Sequence, residues 1–340
     1  MWARRVLALA CIGGIISPLP EFGGGVPAAE VSGLDSHISF VVGMPPGGSV
    51  DAYARLVQRH FPRHLPNSPT IVVQNKPGAG SLLSVMTIAN GRPSDGLMIG
   101  TFSSSLIPNA ITDPRRFPID FRHFRFIGKV GEDYRVCYLR STSGIHNLKQ
   151  LAEHGGVTFA ATAPGTSGNL NLAILQDLFK IPLRPVLGYE GSAAKRLAFE
   201  RGEIDGDCGG IESIPSDWLT KGKINLLVRF LPDLQAPVDA SVPFGGDLTD
   251  SSDRQLYDFL TIPERISGMF LVPDRVAEDT VEQLRRAFDA MAADPDFRSD
   301  GRRLGLPIAV TSGVALDEDI TQLYATPSGI LLKAKALLRK

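Results

Sequence analysis

Short apolar runs alternate with amphipathic segments along most of the chain. An apolar run at residues 38–42 precedes a helical pattern at 50–61, and a second run at 71–73 precedes a helical pattern at 82–90. Apolar residues three and four apart mark the buried face of a helix, whereas short continuous runs bounded by turn residues mark strands. This alternation predicts a parallel, doubly wound α/β sheet.

A second set of the same kind begins near residue 126. It predicts strands at 126–130, 135–139, 157–161, 186–187, 205–208 and 224–229, with helices at 148–154, 169–179 and 193–201. A polar, Pro-rich stretch then runs to residue 255. The remaining pattern predicts strands at 269–272 and 308–310 and helices at 276–293 and 317–338.

Four strand-to-helix turns share Pro, Gly and Ser residues. They lie at residues 43–49, 75–81, 162–169 and 188–192. A helix N-terminus presents free backbone N–H groups at the positive end of its dipole, and glycine lets an anion approach the main chain. The four turns therefore predict one common anion site.

Composition excludes some classes of function. The 340 residues are 43% hydrophobic and 21% charged, with a formal net charge of −1. This balance is that of a globular chain large enough for two domains, and it offers no basic field for nucleic acid.

The N-terminus has the pattern of an export signal. Arg4 and Arg5 precede an apolar run at residues 6–16, which is too short for a stable membrane span, and small residues follow up to Ala29. We expect cleavage after Ala28 and a periplasmic mature chain, with lipidation at Cys11 as an alternative.

Export bears on the two remaining cysteines. The mature chain keeps Cys137 and Cys208, both in apolar, strand-like surroundings. An oxidising compartment permits a disulfide, and a buried free thiol fits the same surroundings.

An enzyme is a weaker interpretation of the motifs. Ser192 and Lys195 match the Ser-x-x-Lys pattern of penicillin-interacting serine enzymes, but the Ser-x-Asn pattern at residues 167–169 lies upstream, and Lys-Thr-Gly is absent from the sequence. His60 and His64 have the spacing of a metal pair, but Pro62 interrupts the helix between them, which favours surface histidines. We expect no catalytic residue, cofactor or metal site.

Four segments resemble the Bug family, the extracytoplasmic solute-binding proteins of tripartite tricarboxylate transporters. Residues 45–51 resemble the family's Pro-Pro-Gly-Gly-Ser-Thr-Asp turn, and 72–80 resemble its Val-Val-Glu-Asn-Arg-Pro-Gly-Ala-Gly. Residues 189–205 resemble its Tyr-Lys-Gly turn with the downstream Gly-Gln-Val-Asp, and 270–295 resemble its late strand and long helix. The resemblance spans nearly the whole mature chain.

The resemblance implies a type II periplasmic-binding-protein fold, with two doubly wound α/β domains joined by a two-strand hinge. By analogy, a signal peptide at 1–28 precedes a discontinuous first domain, 36–136 plus 229–340, and a second domain, 137–228. The resemblance also implies a monomer that closes on a small organic carboxylate and delivers it to membrane transporter subunits.

The turns and the resemblance together predict a set of ligand-binding residues at the ends of strands. Serines after a strand at its carboxyl end, and hydroxyls at helix starts, suit such a site. The predicted contacts are Met44, Pro45, Pro46, Gly47, Gly48, Ser49, Ser103, Ser104, Ala163, Pro164, Gly165, Thr166, Ser167, Tyr189, Gly191, Ser192 and Asp207.

Three acidic residues need separate interpretation. We expect Asp51 to serve the first turn of its helix rather than the ligand. Glu190 stands where the family commonly has Lys or Arg, and Asp207 lies in a segment that is more apolar in the family. Unless Glu190 points to solvent, as turn glutamates usually do, this added negative charge predicts a ligand with an amine or with only one carboxylate.

A second function remains open from the sequence. A sensor or adaptor that presents its liganded form to a signalling protein would carry the same fold and cleft. Adjacent genes for multi-span membrane proteins would favour the transporter function.

Overall fold

The computed structural model describes residues 37–91, 96–162, 165–232 and 238–339. The predicted signal peptide and Cys11 lie outside these residues.

Eleven strands lie in the described part of the chain, and they form two sheets. The strands are β1 (His37–Val42), β2 (Thr70–Asn75), β3 (Leu97–Thr101), β4 (Phe124–Lys129), β5 (Arg135–Arg140), β6 (Val157–Ala160), β7 (Leu183–Val186), β8 (Gly206–Gly210), β9 (Ile224–Arg229), β10 (Met269–Pro273) and β11 (Thr311–Ser312). The first sheet has the order β11-β4-β10-β3-β1-β2, and the second has the order β7-β6-β8-β5-β9.

The helices flank the two sheets. They are α1 (Ser49–His60), α2 (Leu82–Ala89), α3 (Leu106–Thr112), α4 (Leu148–His154), α5 (Ser167–Ala173), α6 (Ser192–Arg201), α7 (Ser216–Thr220), α8 (Arg254–Leu260), α9 (Ile262–Arg265), α10 (Glu278–Ala293), α11 (Pro295–Arg303), α12 (Gly313–Tyr324) and α13 (Ser328–Leu338). A single π-turn at Ile174–Leu178 continues α5.

Both sheets are mixed, so the prediction of a parallel sheet is only partly right. Strands β1, β2 and β3 are parallel, as are β6, β7 and β8. By contrast, β10 runs antiparallel to β3 and β4, and β5 runs antiparallel to β8 and β9. These antiparallel strands lie near the points where the chain passes between the two halves. The alternation of strand and helix seen in the sequence belongs to the parallel βα units, so it did not indicate the antiparallel strands.

The predicted elements near the C-terminus are wrong in two places. The predicted helix at 317–338 is two helices, α12 and α13, because Pro327 cannot continue the ladder of the preceding helix. The predicted strand at 308–310 is replaced by the short β11, which pairs with β4. Helices α3, α7, α8 and α9 had no counterpart in the prediction.

The core divides along the two sheets, with one exception. Hydrophobic clusters cover both faces of the first sheet, and two further clusters cover the second sheet. Helices α8 and α13 share a cluster with strands of the second sheet, through Tyr257 and Leu337 among others. The domain division at 136 and 229 stays a proposal, because these two helices follow residue 229 yet pack on the other half.

The described helices include none that is both long enough and apolar enough to cross a bilayer.

A disulfide joins two adjacent strands of the second sheet, the central β8 and its neighbour β5. Cys137 on β5 lies directly opposite Cys208 on β8, and their sulfur atoms are 1.93 Å apart. Of the two alternatives that the sequence left open, the structure has the disulfide. It closes a loop with a sequence separation of 71 residues.

This cross-link should stabilise the folded chain. A disulfide restricts the unfolded chain, so we expect Cys137→Ala/Cys208→Ala to lower the free energy of unfolding by about 2 to 4 kcal/mol. Urea unfolding followed by circular dichroism measures the change, and the wild-type chain with a reductant serves as control. Equal midpoints for the oxidised wild type and the double variant would contradict the prediction.

Candidate functional site

The predicted site residues follow parallel strands at shared sheet edges. In the first sheet Val42 pairs with both Asn75 and Thr101, so the segments after β1, β2 and β3 start side by side. In the second sheet Ala160 pairs with Val186 and Asp207, which aligns the ends of β6, β7 and β8 in the same way. Ligands of doubly wound sheets bind outside such carboxyl ends.

The first turn, Met44–Ser49, is shaped by Asp51. Its Oδ2 atom accepts hydrogen bonds from the Gly47 backbone N–H and from Arg55 Nε, both at 2.9 Å. Its Oδ1 atom accepts from Asn75 Nδ2, which also donates to the Met44 carbonyl. Asp51 therefore holds the turn from inside, as the sequence predicted.

The charge of Asp51 is well compensated. Burial by itself raises the pKa of this carboxyl, but hydrogen bonds from Arg55, Gly47 and Asn75 outweigh it and hold the pKa below its ordinary value. Because Asp51 takes up the Gly47 N–H, that group is not free for a ligand in this structure. Residues 45–49 are exposed.

Ser81 joins two of the turns and was not predicted as part of the site. Its Oγ atom donates to the Gly43 carbonyl and accepts from the Ser103 backbone N–H, both at 3.0 Å. Ser81 is buried and has a φ of 78°, which a non-glycine residue rarely adopts. The glycine-rich turn at residues 75–81 was recognised in the sequence, but the sequence alone did not show that the hydroxyl of Ser81 is buried and joins this turn to its neighbours.

The serines after β3 have different surroundings. Ser104 is buried and donates to the Pro263 carbonyl at 2.6 Å, whereas Ser103 is partly exposed and shares a hydrogen bond with Ser105. Ser103 is thus the more available of the two predicted contacts.

Asn109 connects the site segments of the two halves. Its Nδ2 atom donates to the carbonyl of Ser105, the residue before α3, and to the Gly165 carbonyl of the second half, at 2.7 and 3.2 Å. Gly165 has a φ of +78°, and a Cβ there would lie 3.0 Å from the Asn109 side chain. This close approach shows that the turns after β3 and β6 face each other.

The rest of the turn after β6 is partly described. Ala163 and Pro164, both predicted contacts, lie outside the described residues. Thr166 shares a 2.7 Å hydrogen bond with Thr162, and Ser167 begins α5 with its side chain partly exposed.

The turn after β7 places its residues at differing depths. Tyr189 is half-buried and packs against the cluster around Tyr138. Gly191 and Ser192 are exposed, and so is Glu190. Glu190 therefore points to solvent, in agreement with the ordinary expectation for a glutamate in a turn.

Asp207 does not add an unpaired negative charge to the cleft. Its Oδ1 atom lies 2.7 Å from Lys195 Nζ, and both side chains are buried. Burial outweighs the attraction of Asp207 and lowers the pKa of Lys195. Lys195 of the Ser-x-x-Lys match is thus held in a structural ion pair. Ser192 is the first residue of α6 and makes no capping hydrogen bond, so the expected cap at this helix start is not found.

Arg135 is a further cation beside the predicted site. A Cβ on Gly168, in the first turn of α5, would lie 2.9 Å from Arg135 Nη2 and 4.0 Å from Lys195 Nζ. Arg135 itself donates to Asp133, to Asn171 and to the Cys208 carbonyl. The sequence did not single out Arg135, because its position at the start of a strand carries no local signal.

The two histidines with metal-like spacing serve the fold. His60 is buried and lies 3.1 Å from Asp300, so the prediction of a surface residue is wrong for it, and His64 lies 3.2 Å from Asp294. In the described ranges, no group of three or more His, Cys, Asp or Glu side chains could hold a metal ion.

Comparisons with known proteins agree with this geometry. No protein-family model matches the chain. A UPF0065 protein from Pseudomonas sp. strain P51 is 26% identical over 280 residues, covering 80% of this chain and 78% of that protein.

The similar solved structures include solute-binding proteins. A TctC solute-binding protein from Polaromonas has a TM-score of 0.68 at 19% identity, covering 89% of this chain and 100% of that chain. The periplasmic binding protein BugD has a TM-score of 0.64 at 20% identity, with 88% and 98% covered. MatC from Rhodopseudomonas palustris with bound malate has a TM-score of 0.64 at 18% identity, with 88% and 99% covered.

The fold class is therefore that of the periplasmic binding proteins, as predicted. Within that class, the predicted resemblance to the Bug solute-binding proteins is confirmed.

The buried Lys195–Asp207 pair yields a stability prediction. We expect Lys195→Met alone to cost about 3 to 5 kcal/mol, because it leaves the Asp207 carboxylate buried without its partner. Lys195→Met combined with Asp207→Asn removes that charge and should recover most of the loss. Urea unfolding of the two variants measures the difference, and equal destabilisation in both would contradict the assignment.

Proposed function

We propose that the chain is an extracytoplasmic solute-binding protein. It captures a small organic carboxylate between its two halves and delivers it to a membrane transporter of the tripartite tricarboxylate type. The observation that carries the proposal is the direct approach of the two sets of strand-end turns, through the Asn109–Gly165 hydrogen bond. A ligand enclosed there meets helix starts from both halves.

The comparisons support the carboxylate as ligand class. MatC, which shares the fold, holds malate. The similar proteins are solute-binding proteins rather than enzymes, which supports binding without turnover. Their periplasmic location and the export pattern at the N-terminus support a periplasmic location, and we keep the monomer as part of the proposal.

The acidic residues near the cleft no longer argue against a dicarboxylate. Glu190 is exposed, and Asp207 is neutralised by Lys195. The two cations beside α5, Arg135 and Lys195, are balanced by Asp133 and Asp207. The cleft side of the second half is therefore close to neutral, which suits binding through N–H groups and hydroxyls.

Titration calorimetry against a panel of carboxylates tests the proposal. The panel contains malate, other C4 to C6 dicarboxylates, monocarboxylates, amino acids and aromatic acids. We expect saturable binding of at least one carboxylate without any chemical change in it. Absence of binding across the panel, or turnover of a compound, would overturn the proposal.

A variant pair tests whether the first turn contacts the ligand. Gly48 has a φ of −84°, and a Cβ there would meet only the Pro45 carbonyl at 3.9 Å, so Gly48→Leu should fold normally. We expect this variant to weaken binding of the carboxylate found by at least about tenfold, equal to about 1.4 kcal/mol, because the side chain blocks the approach to the backbone.

Gly329→Leu is the matched control. A Cβ at this glycine in α13 meets nothing within 4 Å, and Gly329 lies outside the predicted site. The affinity of the Gly329→Leu variant for the same carboxylate should equal that of the wild type. Unchanged affinity in a folded Gly48→Leu variant would show that residues 45–49 are only a turn.

A further inference from the structure

A cavity of about 360 Å³ lies outside the predicted ligand site. Its walls come from α8, α9, α12 and the residues that join α12 to α13, and none of its lining residues is a predicted carboxylate contact. Sites for small molecules in proteins have volumes of about 300 to 1,000 Å³, with a mainly apolar lining and a few polar groups that fix the ligand's orientation. The cavity has the size of such a site, so its lining chemistry decides what it could hold.

Three anchored side chains supply the apolar part of the lining, namely Phe259, Ile262 and Leu323. Phe259 belongs to a core cluster of the second sheet, Ile262 belongs to a cluster of the first sheet, and Leu323 packs against both. The cavity therefore lies at the junction of two cores. Because the cores hold these side chains in place, the cavity has a preformed apolar wall, and such a wall favours an apolar group on its occupant.

A cation and an anion in the lining have no partner of their own. Arg265, at the end of α9, is exposed, and Asp319, in α12, is half-buried. Within the described residues neither side chain takes part in a hydrogen bond or an ion pair, and no ion pair joins the two to each other. Asp258, also in the lining, differs because Arg254 Nε lies 3.0 Å from its carboxylate. Arg265 and Asp319 are thus the charges that an occupant could neutralise.

The two unpaired charges act on one common group. Burial lowers the pKa of Lys129, the charge of Arg265 lowers it further, and the charge of Asp319 opposes this shift. Arg265 and Asp319 therefore both lie within electrostatic range of the same amine, although they do not pair. A gap between a cation and an anion is complementary to a molecule that carries both signs of charge.

Two glutamines complete the polar lining. Gln255 on α8 and Gln322 on α12 both line the cavity, and both are exposed. A carboxamide offers an acceptor oxygen and two N–H donors, so it can serve either a carboxylate or an ammonium group. The lining thus holds donors and acceptors for both ends of a zwitterion beside an apolar wall.

We propose that this cavity is a second binding site, for a zwitterionic α-amino acid with an apolar side chain. The Arg265 guanidinium holds the ligand carboxylate, the Asp319 carboxylate holds the ammonium group, and the apolar wall takes the side chain. An anion alone would leave Asp319 unpaired, and an amine alone would leave Arg265 unpaired. The inference goes beyond the proposed function and does not rest on it.

Titration calorimetry of the full chain with L-leucine, L-isoleucine and L-phenylalanine tests the site. We expect saturable binding of at least one of the three, and the same experiment is repeated with analogues that lack one charge. For L-leucine these are 4-methylpentanoate, without the ammonium group, and 3-methylbutylamine, without the carboxylate. Each analogue should bind at least about tenfold more weakly than its parent, because it forfeits a hydrogen-bonded charge contact. No binding of any of the three amino acids, or equal affinity for an analogue, would overturn the proposal.

Charge variants locate the site. Arg265→Gln and Asp319→Asn should each weaken binding of the amino acid by at least about tenfold. Neither side chain has a hydrogen bond or ion pair within the described residues, so both variants should fold, as circular dichroism checks. Arg302→Gln and Glu318→Gln are the matched controls, because they remove the same charges from exposed residues that do not line the cavity. Unchanged affinity in Arg265→Gln, or an equal loss in the controls, would overturn the proposal.

The Gly48→Leu variant separates this site from the predicted cleft. It should bind the amino acid as tightly as the wild type does. Loss of that binding in Gly48→Leu, together with full affinity in Arg265→Gln, would assign the amino acid to the cleft and overturn the second site. If amino-acid binding depends on Arg265 but no carboxylate binds elsewhere, the second site stands and the proposed function fails. If a carboxylate binds in the cleft but none of the three amino acids binds, the second site fails and the proposed function stands.

Discussion

The pairing of Arg135 is the interaction on which the junction of the two halves depends. An arginine with little exposure must place its N–H groups on acceptors, because an unpaired buried charge is strongly unfavourable. Its three acceptors are Asp133, Asn171 and the Cys208 carbonyl. They lie on the crossing segment, on α5 and on β8, so one guanidinium fixes the crossing segment relative to two elements of the second half. The Cys137–Cys208 disulfide holds the same strand pair beside it.

Helix α5 carries both the turn at the predicted site and the residue that contacts the first half. Helix α5 begins with the turn that faces Asn109, and its Asn171 bonds to Arg135 on one side and Glu264 on the other. The predicted ligand contacts at the start of the helix and the Asn171–Glu264 hydrogen bond are therefore separated by one helical turn. Any binding energy gained at the turn acts on a segment whose orientation is already set by buried hydrogen bonds, and such hydrogen bonds are stronger than those in water.

The sequence was sufficient where short-range chemistry decides the structure. Helix α4 and strand β9 have the predicted bounds, and the Asn147 side chain caps α4 by accepting from the Gln150 N–H. It was insufficient where partners are distant in the chain. Ser81 meets Gly43 across 38 residues, Asn109 meets Gly165 across 56, and Asn171 meets Glu264 across 93. Each of these residues is an ordinary Ser, Asn or Glu in its local context, and only the folded topology gives it a role.

The charged residues near the predicted site also show that local sequence does not reveal a residue's partner, and here the partner affects ligand specificity. Read singly, Asp207 predicts repulsion of an anionic ligand, yet in the fold its charge is cancelled by Lys195 twelve residues earlier. Once Asp207 and Arg135 are both paired within the protein, neither is a free charge that could select a ligand by its sign. If the ligand is a carboxylate, as proposed, discrimination among such ligands must come from the number and direction of N–H and hydroxyl donors and from the shape left between the turns. Such a site rejects a ligand mainly by leaving its own polar groups unpaired, because an unmade buried hydrogen bond costs more than a made one contributes.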